Sequence, residues 1–462
     1  MATAKELKEK LFLQRKNGRQ TASEELLSAA DAFCEDYKAF LDASKTEREA
    51  VKTSIALAKG AGFTEFDCDK KYSAGDKMYI NNRGKAAAFI VMGKRPVIEG
   101  VRVTAAHIDS PRLDLKPNPL YESAELALFK THYYGGIKKY QWTTVPLSLH
   151  GVIVKRDGTS VEINIGDDEK DPCFVVTDLL PHLAAEQSKR TLGEAVKGED
   201  LNVLIGSHPF KDDSESELVK LNILNILNEK YGITEGDFLS AELECVPAYS
   251  ARDIGFDRSL IGAYGHDDRV CAYPALRAAM DLDVPEHTVI VVLADKEEIG
   301  SEGNTGLNSS FLKYIFMDLA AMQGVDGYKV MRASKCLSAD VNAAFDPTYP
   351  EVMEARNASY LNYGAVITKY TGARGKSSTN DASAEFVGFV RKLLDEEGGA
   401  WQTGELGKGD AGGGGTVGMY VANLGLDVVD LGVPVLSMHA PFETTSKLDV
   451  YMCYRAMYEF MK

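Results

Sequence analysis

The sequence lacks an apolar run of the roughly 20 residues that a helix needs to cross a bilayer. Its first residues, MATAKELKEK, are charged and helix-like and contain no apolar core of a signal peptide. Both absences predict a protein with no membrane partner and no secretion signal. We therefore expect a soluble, cytoplasmic protein.

An excess of positive charge is also missing. The 462 residues carry a formal net charge of −16. Nucleic-acid surfaces require clustered lysine and arginine side chains, so we expect no nucleic-acid partner. Hydrophobic residues make up 45% of the chain, and its length predicts two domains.

Paired cysteines and nucleotide motifs are absent as well. The seven cysteines include no C-x-x-C pair, and their odd number fits no closed disulfide framework. We expect reduced, mostly buried thiols, as in cytosolic proteins. The glycine-rich stretch 398–418 lacks the Lys-Ser or Lys-Thr pair of a phosphate-binding loop. It predicts a loop near an active site rather than a nucleotide site.

The chain does contain five short apolar runs that each end in a histidine or a carboxylate. Such runs are typical of strands buried on both faces of a parallel sheet. Open α/β sheets place their chemistry at the carboxyl ends of these strands. We therefore expect one rim of the sheet to gather the residues that end the runs, which are His107, His266 with Asp267 and Asp268, Asp295 with Glu297 and Glu298, Asp340, and His439.

The chemistry of this set indicates metal ions. Two histidines and three carboxylates drawn from it would suit zinc, manganese or cobalt rather than copper or a thiolate site. Five protein ligands are too many for one catalytic zinc, which normally takes three and a water. They suit two metal ions about 3.5–4 Å apart, bridged by one carboxylate and a water. A carboxylate outside the metal shell could then take the proton from that water.

The chain resembles the aspartyl aminopeptidases, a family of dinuclear zinc metallopeptidases. The resemblance rests on five motifs in this order, HIDSP, GHDDR, DKEEIGSE, SAD and SMH, and it extends from the AGDKM segment at 74–78 to the C-terminal helix. It implies a metallo-aminopeptidase that removes N-terminal residues from peptides, with two ions of zinc, cobalt or manganese. Two other interpretations fit the same ligands, a metal-dependent amidase or deacylase on this scaffold and a non-catalytic assembly protein.

The resemblance also implies a role for each site residue. Five residues would be metal ligands, assigned to the first ion (His107, Asp340), the second ion (Glu298, His439) or both ions (Asp267). Glu297 would act as the general base. Asp109 would orient a histidine ligand, a common device at metal sites. His182 would reach the substrate.

Residues 112–250 differ in character from the rest of the chain. They contain alternating stretches at 142–155 and 160–165, typical of antiparallel strands, and one amphipathic helix at 215–229. We predict an α/β catalytic domain over 1–111 and 251–462, with a mixed, mostly parallel central sheet flanked by helices. An inserted β-rich domain would occupy 112–250. The resemblance implies that this insertion dimerises, and that dimers assemble into a tetrahedral homododecamer.

The pocket for the first substrate residue departs from the family pattern. Ala343 stands where the family has a histidine, and Asp346 adds a carboxylate that we expect near the substrate. A family lysine falls at Thr368, with Lys369 one position late and so facing the opposite side of a strand. These changes remove positive charge. We therefore expect a basic or neutral first residue, unless Lys369 or Arg374 compensates.

Overall fold

The computed structural model describes residues 2–212 and 215–462. Apolar spacing predicts helices over 384–397 and 446–461, and helices lie there. The first begins after Ser383, whose hydroxyl accepts the backbone N–H of Phe386, and it ends at Gly398 with φ 77°. The α-helices are α1 (Ala4–Leu11), α2 (Gly18–Thr21), α3 (Glu24–Asp42), α4 (Glu47–Gly60), α5 (Leu192–Ala195), α6 (Leu218–Tyr231), α7 (His266–Asp281), α8 (Phe311–Met322), α9 (Gly327–Ala333), α10 (Ala384–Glu397), α11 (Gly418–Ala422) and α12 (Lys447–Met461).

The strands form three sheets. In chain order they are β1 (Thr64–Glu65), β2 (Lys77–Asn82), β3 (Ala86–Val91), β4 (Arg102–His107), β5 (Arg112–Ser123), β6 (Leu126–Tyr134), β7 (Leu147–Val154), β8 (Ser160–Ile165), β9 (Val175–Val176), β10 (Val203–Gly206), β11 (Ala241–Pro247), β12 (Arg252–Ile254), β13 (Leu260–Ala263), β14 (Val289–Ala294), β15 (Lys335–Ser338), β16 (Asn342–Ala343), β17 (Ala365–Thr368), β18 (Trp401–Thr403), β19 (Asp427–Gly432), β20 (Pro434–Leu436) and β21 (Glu443–Ser446). None of the helices in the described ranges has both the length and the apolarity that a bilayer span requires.

The largest sheet has nine strands in the order β1-β2-β3-β14-β4-β15-β19-β17-β18. Its centre is parallel, since β14, β4, β15 and β19 pair in the same direction. The pairs β2–β3, β3–β14 and β17–β19 are antiparallel. This confirms the mixed, mostly parallel sheet that the sequence predicts.

Strand β14 shows why the sequences of the central strands are unbroken runs of apolar residues. All six of its residues are buried, and successive side chains point to opposite faces of the sheet. Val289, Val291 and Leu293 pack into a core that includes α7 and α12. Ile290 and Val292 pack into a second core that includes α8. Because both faces are covered by helices, no position in the strand tolerates a polar side chain.

The strands that carry the candidate ligands end at one rim of the structure. β14 and β4 are in register to their last residues, and β4 ends at His107. β15 ends two residues before Asp340. A five-stranded sheet with the order β12-β13-β21-β20-β16 supplies the other two runs. Its strand β13 leads to Asp267, and β20 leads to His439.

The third sheet is built from the segment between Arg112 and Pro247. Its seven strands follow the order β8-β7-β11-β5-β6-β10-β9, and all its pairs are antiparallel. The sheet has its own apolar core, in which Trp142 and Leu147 are fully buried. We predict an insertion over 112–250, and all seven strands of this sheet fall within those bounds, although Tyr264 from outside them joins its core.

Core packing in α8 generates a stability prediction. Phe316 is fully buried in the core beneath the central sheet, whereas Tyr314 on the same helix is 63% exposed. Phe316→Ala should lower the free energy of unfolding by about 3–5 kcal/mol, because it removes apolar contacts and leaves a cavity. The control Tyr314→Ala should change it by less than about 0.5 kcal/mol. Guanidinium titration followed by circular dichroism measures both, and equal effects would contradict this account of the core.

Candidate metal centre

Histidine and carboxylate side chains converge where the parallel strands end. Their ligand atoms form three overlapping groups within which all atoms lie within 4.8 Å of one another. The groups are His107 with Asp268 and Asp340, His107 with Glu297 and Glu298, and Asp267 with Glu298 and His439. All the candidate metal ligands predicted from the sequence belong to this cluster.

Asp267 lies between the two histidines. Its Oδ1 is 3.1 Å from His107 Nε2, and its Oδ2 is 3.2 Å from His439 Nε2. Oδ1 is buried and accepts no hydrogen bond from the described residues in spite of this short distance. The two oxygens therefore face two separate imidazoles, which is the arrangement expected of a carboxylate that bridges two metal ions.

The other carboxylates surround these imidazoles. Glu298 Oε1 lies 3.7 Å from His439 Nε2. Asp340 Oδ1 lies 3.9 Å from His107 Nε2, and Glu297 Oε2 lies 3.8 Å from the same nitrogen. These separations are too long for hydrogen bonds. The separations of Glu298 from His439 and of Asp340 from His107 suit, in each pair, two ligand atoms that face one ion.

Asp109 holds several parts of the cluster in place. Its Oδ1 accepts the backbone N–H of Glu297 at 3.1 Å, and its Oδ2 accepts that of Glu298 at 3.2 Å. Its backbone carbonyl accepts a hydrogen bond from His107 Nδ1 at 3.0 Å. That bond fixes the imidazole tautomer and leaves Nε2 directed at the other ligands. Asp109 thus orients one histidine and the turn that carries both glutamates.

Buried negative charge dominates the electrostatics. Burial raises the pKa of Asp268, Glu298 and Asp340 well above the usual carboxyl range, and neighbouring acidic groups add to the effect. Burial also raises the pKa of Glu297 to about 7, although the His107 imidazole partly offsets the rise. The cluster therefore favours the binding of positive charge.

The residues present fit divalent metal ions. Asp267 Oδ1, Glu298 Oε1 and both carboxylate oxygens of Asp268 are buried without a hydrogen-bond partner in the described chain. Buried carboxylates without a partner are costly, and a coordinated cation removes that cost. Imidazole and carboxylate donors suit zinc, cobalt or manganese.

A cavity of about 530 Å³ opens over the cluster. The cluster contributes Asp267, Glu297, Glu298, Asp340 and His439 to its lining. The lining also includes Leu406, residues 413–415 and Thr416 from the glycine-rich stretch. This confirms the prediction that the stretch forms a loop near the site.

Comparison with known proteins identifies the family of the chain. The family model described as aminopeptidase I zinc metalloprotease (M18) matches residues 40–461. The chain is 49% identical to a probable M18 family aminopeptidase 1 of Clostridium acetobutylicum over 449 residues, which cover 96% of this chain and 97% of that relative. The chain belongs to the M18 family of zinc metallo-aminopeptidases.

Solved structures of M18 members share the whole fold. The aminopeptidase of the M18 family from Thermotoga maritima superposes with a TM-score of 0.93 at 47% identity, covering 97% of this chain and 99% of that one. Aminopeptidase I from Clostridium acetobutylicum gives a TM-score of 0.92 at 45% identity, covering 98% and 100%. The prediction of a zinc metallo-aminopeptidase is confirmed, and the amidase and assembly-protein interpretations are not supported.

Three residues around the M18 centre have no assigned role in the sequence-based prediction, although Asp268 is expected at the rim. Asp268 adds a fully buried carboxylate to the group of His107 and Asp340. Its position after Asp267 in the GHDDR motif is the one local signal. Glu443 accepts the backbone N–H groups of Asp267 and His439 at 3.1 and 2.7 Å. Tyr134 donates its hydroxyl to Asp109 Oδ2 at 2.8 Å.

The two candidate substrate residues lie apart from the metal cluster. His182 belongs to the stretch 177–183, in which every residue is exposed, and it does not line the cavity of the single chain. Asp346 also lies outside the cavity lining, and its carboxylate accepts the backbone N–H of Thr348 at 2.8 Å in a turn. The side chain of Lys369 pairs with Asp381 and is not among the residues that line the cavity.

Removal of zinc should inactivate this M18 aminopeptidase and lower its thermal midpoint. The buried carboxylates then lose their counter-charge, and a ligand at a thousand times its dissociation constant contributes about 4 kcal/mol of stability. Amide hydrolysis and the thermal midpoint would be measured after dialysis against a chelator and again after zinc is returned. Cys68→Ser controls for zinc held by the exposed group Asp67, Cys68 and Asp69. Undiminished activity in the metal-free protein would contradict the assignment.

Proposed function

We propose that this aminopeptidase works with two zinc ions, the first held by His107 and Asp340 and the second by Glu298 and His439. Asp267 would contact both. The observation that carries this proposal is the position of Asp267, whose two oxygens lie within 3.2 Å of the two different imidazoles. When bound, the ions lower the pKa of water and polarise the peptide carbonyl.

Glu297 is proposed as the general base. Its carboxylate lines the cavity beside His107, and burial raises its pKa to about 7. A carboxyl group with that pKa both accepts and releases a proton near neutral pH. Glu297 would take the proton from the attacking water at a carboxylate oxygen and pass it to the leaving amine. Asp109 supports this role by holding the Glu297 backbone N–H.

Glu297→Gln should retain zinc and lose activity. The amide preserves the shape of the side chain but cannot accept the proton, so kcat should fall about 10²–10⁴-fold. Metal content by mass spectrometry and steady-state hydrolysis of an aminoacyl amide measure the two properties. Glu302→Gln, in the same loop and exposed, is the matched control. If Glu297→Gln turned over substrate at the wild-type rate, another group would have to be the base.

Exopeptidase action follows from the charge of the cavity. Four of its charged lining side chains are carboxylates, and His439 is the fifth. A free N-terminal ammonium group can pair with such carboxylates. The backbone amide at an internal position of a peptide carries no positive charge and cannot form this pair. The N-terminal residue would then be held with its carbonyl beside the centre.

We further propose a preference for a neutral or basic first residue. No lysine or arginine of the described chain lines the cavity. Thr368 is buried and accepts a hydrogen bond from Asn342 at 2.9 Å, so it supplies no charge. Lys369 is engaged with Asp381 and 44% exposed. A buried acidic side chain in this pocket would lack a partner, which is costly.

A panel of aspartyl, lysyl and leucyl chromogenic amides tests this preference. The lysyl or leucyl amide should have a kcat/KM at least about tenfold above that of the aspartyl amide, equivalent to about 1.4 kcal/mol of transition-state binding. The same panel with zinc removed gives the background rate. Fastest turnover of the aspartyl amide would refute the preference and leave the aminopeptidase assignment intact.

Assembly into a dodecamer is proposed for the chain as well. A solved yeast relative is described as the mApe1 dodecamer, and it shares this fold with a TM-score of 0.75 at 21% identity. The stretch around His182 supports assembly, since Leu179, Leu180 and Leu183 are about half exposed or more. In such an assembly His182 would reach the substrate of a neighbouring subunit. We place the protein in the cytoplasm, which its seven free cysteines support.

A further inference from the structure

The end of β6 crosses from the inserted sheet to the metal centre. Tyr134 is the last residue of the strand, and its hydroxyl donates to Asp109 Oδ2 at 2.8 Å. Two residues later, the carbonyl of Gly136 accepts the Nδ1–H of His439 at 2.8 Å. One short segment therefore contacts Asp109, which is the hydrogen-bond partner of His107, and it also contacts His439 directly.

The Tyr134 contact is itself held rigidly. The ring lies under the guanidinium of Arg112, which is 4.0 Å from the ring centroid, and only 9% of Tyr134 is exposed. Arg112 is fixed by Glu47 at 3.0 Å and Glu244 at 3.2 Å. The hydroxyl therefore reaches Asp109 from a fixed position and directs the carboxylate that holds the backbone of Glu297 and Glu298.

The two glycines allow the segment to approach closely. Gly135 has φ +74°, and a Cβ there would lie 2.9 Å from Glu298 Oε2 and 3.3 Å from Glu298 Cβ. A Cβ on Gly136 would lie 3.4 Å from His439 Nδ1. The backbone thus packs directly against two candidate ligands of one metal ion. The hydrogen bond from His439 Nδ1 leaves Nε2 facing Asp267.

We propose that Tyr134, Gly135 and Gly136 are positioning residues through which the inserted domain orients His439 and, through Asp109, the turn that carries Glu297 and Glu298. The inference rests on the ligand set of the proposed function. Its consequence is that the inserted domain takes part in zinc binding as well as in any assembly. A substitution in this segment should lower the affinity for zinc and leave the affinity for substrate unchanged.

Zinc affinity measured by chelator competition tests the proposal on the full-length protein. Tyr134→Phe removes the hydroxyl and keeps the ring, so the apparent dissociation constant for zinc should rise about 10–100-fold. Its activity should fall at limiting zinc and recover in excess zinc, with KM unchanged. Tyr133→Phe, at a neighbouring residue that is 40% exposed, is the control and should bind zinc as the wild type does.

Gly135→Ala provides a second, independent variant. Its Cβ would push against Glu298, so zinc affinity should fall at least as far as in Tyr134→Phe. Gly158→Ala controls for backbone strain, because Gly158 has φ +84° and a Cβ added there would meet no other part of the described chain within 4 Å. Wild-type zinc affinity in both Tyr134→Phe and Gly135→Ala would overturn the proposal.

His439→Ala separates this proposal from the ligand assignment on which it rests. The variant should lose zinc if His439 is a ligand. If it binds zinc as tightly as the wild type, the ligand assignment itself is wrong. If it loses zinc while Tyr134→Phe and Gly135→Ala keep it, the assignment stands and the positioning role of the β6 segment is refuted.

Discussion

Concentrated negative charge in a buried place is the constraint on which the rest of the structure depends. Two imidazoles and six carboxylates meet at the rim of the central sheet, namely His107, His439, Asp109, Asp267, Asp268, Glu297, Glu298 and Asp340. Burying carboxylates without counter-charge costs several kcal/mol each. The protein satisfies Asp109 with backbone N–H groups and leaves oxygens of other carboxylates unpaired. A bound zinc ion would pair with those oxygens and remove the cost of burying them, so the arrangement suits a zinc enzyme.

Lysine and arginine side chains near the rim balance the negative charge of other buried carboxylates. Lys296 Nζ lies 2.9 Å from Asp295 Oδ2, which also accepts the Thr305 hydroxyl at 2.6 Å. These contacts fix the start of the turn that carries the two glutamates. Arg112 lies between Glu47 and Glu244 and joins the inserted sheet to α4. Loss of one partner from such buried pairs typically costs about 3–5 kcal/mol, so this network stabilises the fold while it supports the site.

The inserted sheet has its own core and still contributes to the centre. Its buried Trp142 and Leu147 form a core separate from those of the central sheet. The end of β6 nevertheless supplies hydrogen bonds to Asp109 and His439. The boundary that we predict between a catalytic domain and an inserted domain therefore does not separate the metal centre from the inserted sheet. Residues on both sides of that boundary make hydrogen bonds at the centre.

Local patterns in the sequence determined which strands carry the candidate ligands and the family to which the chain belongs. An apolar run that ends in a polar residue marks both a buried strand and the point at which it ends, as at β4 and β14. The contacts of Glu443 with Asp267 and of Tyr134 with Asp109 have no such local mark, since they join residues 176 and 25 positions apart. Only the tertiary structure decided the strand order, these contacts and the distances between the side chains that end the five runs. Strand pairing and side-chain contact depend on long-range packing, which no short stretch of sequence contains.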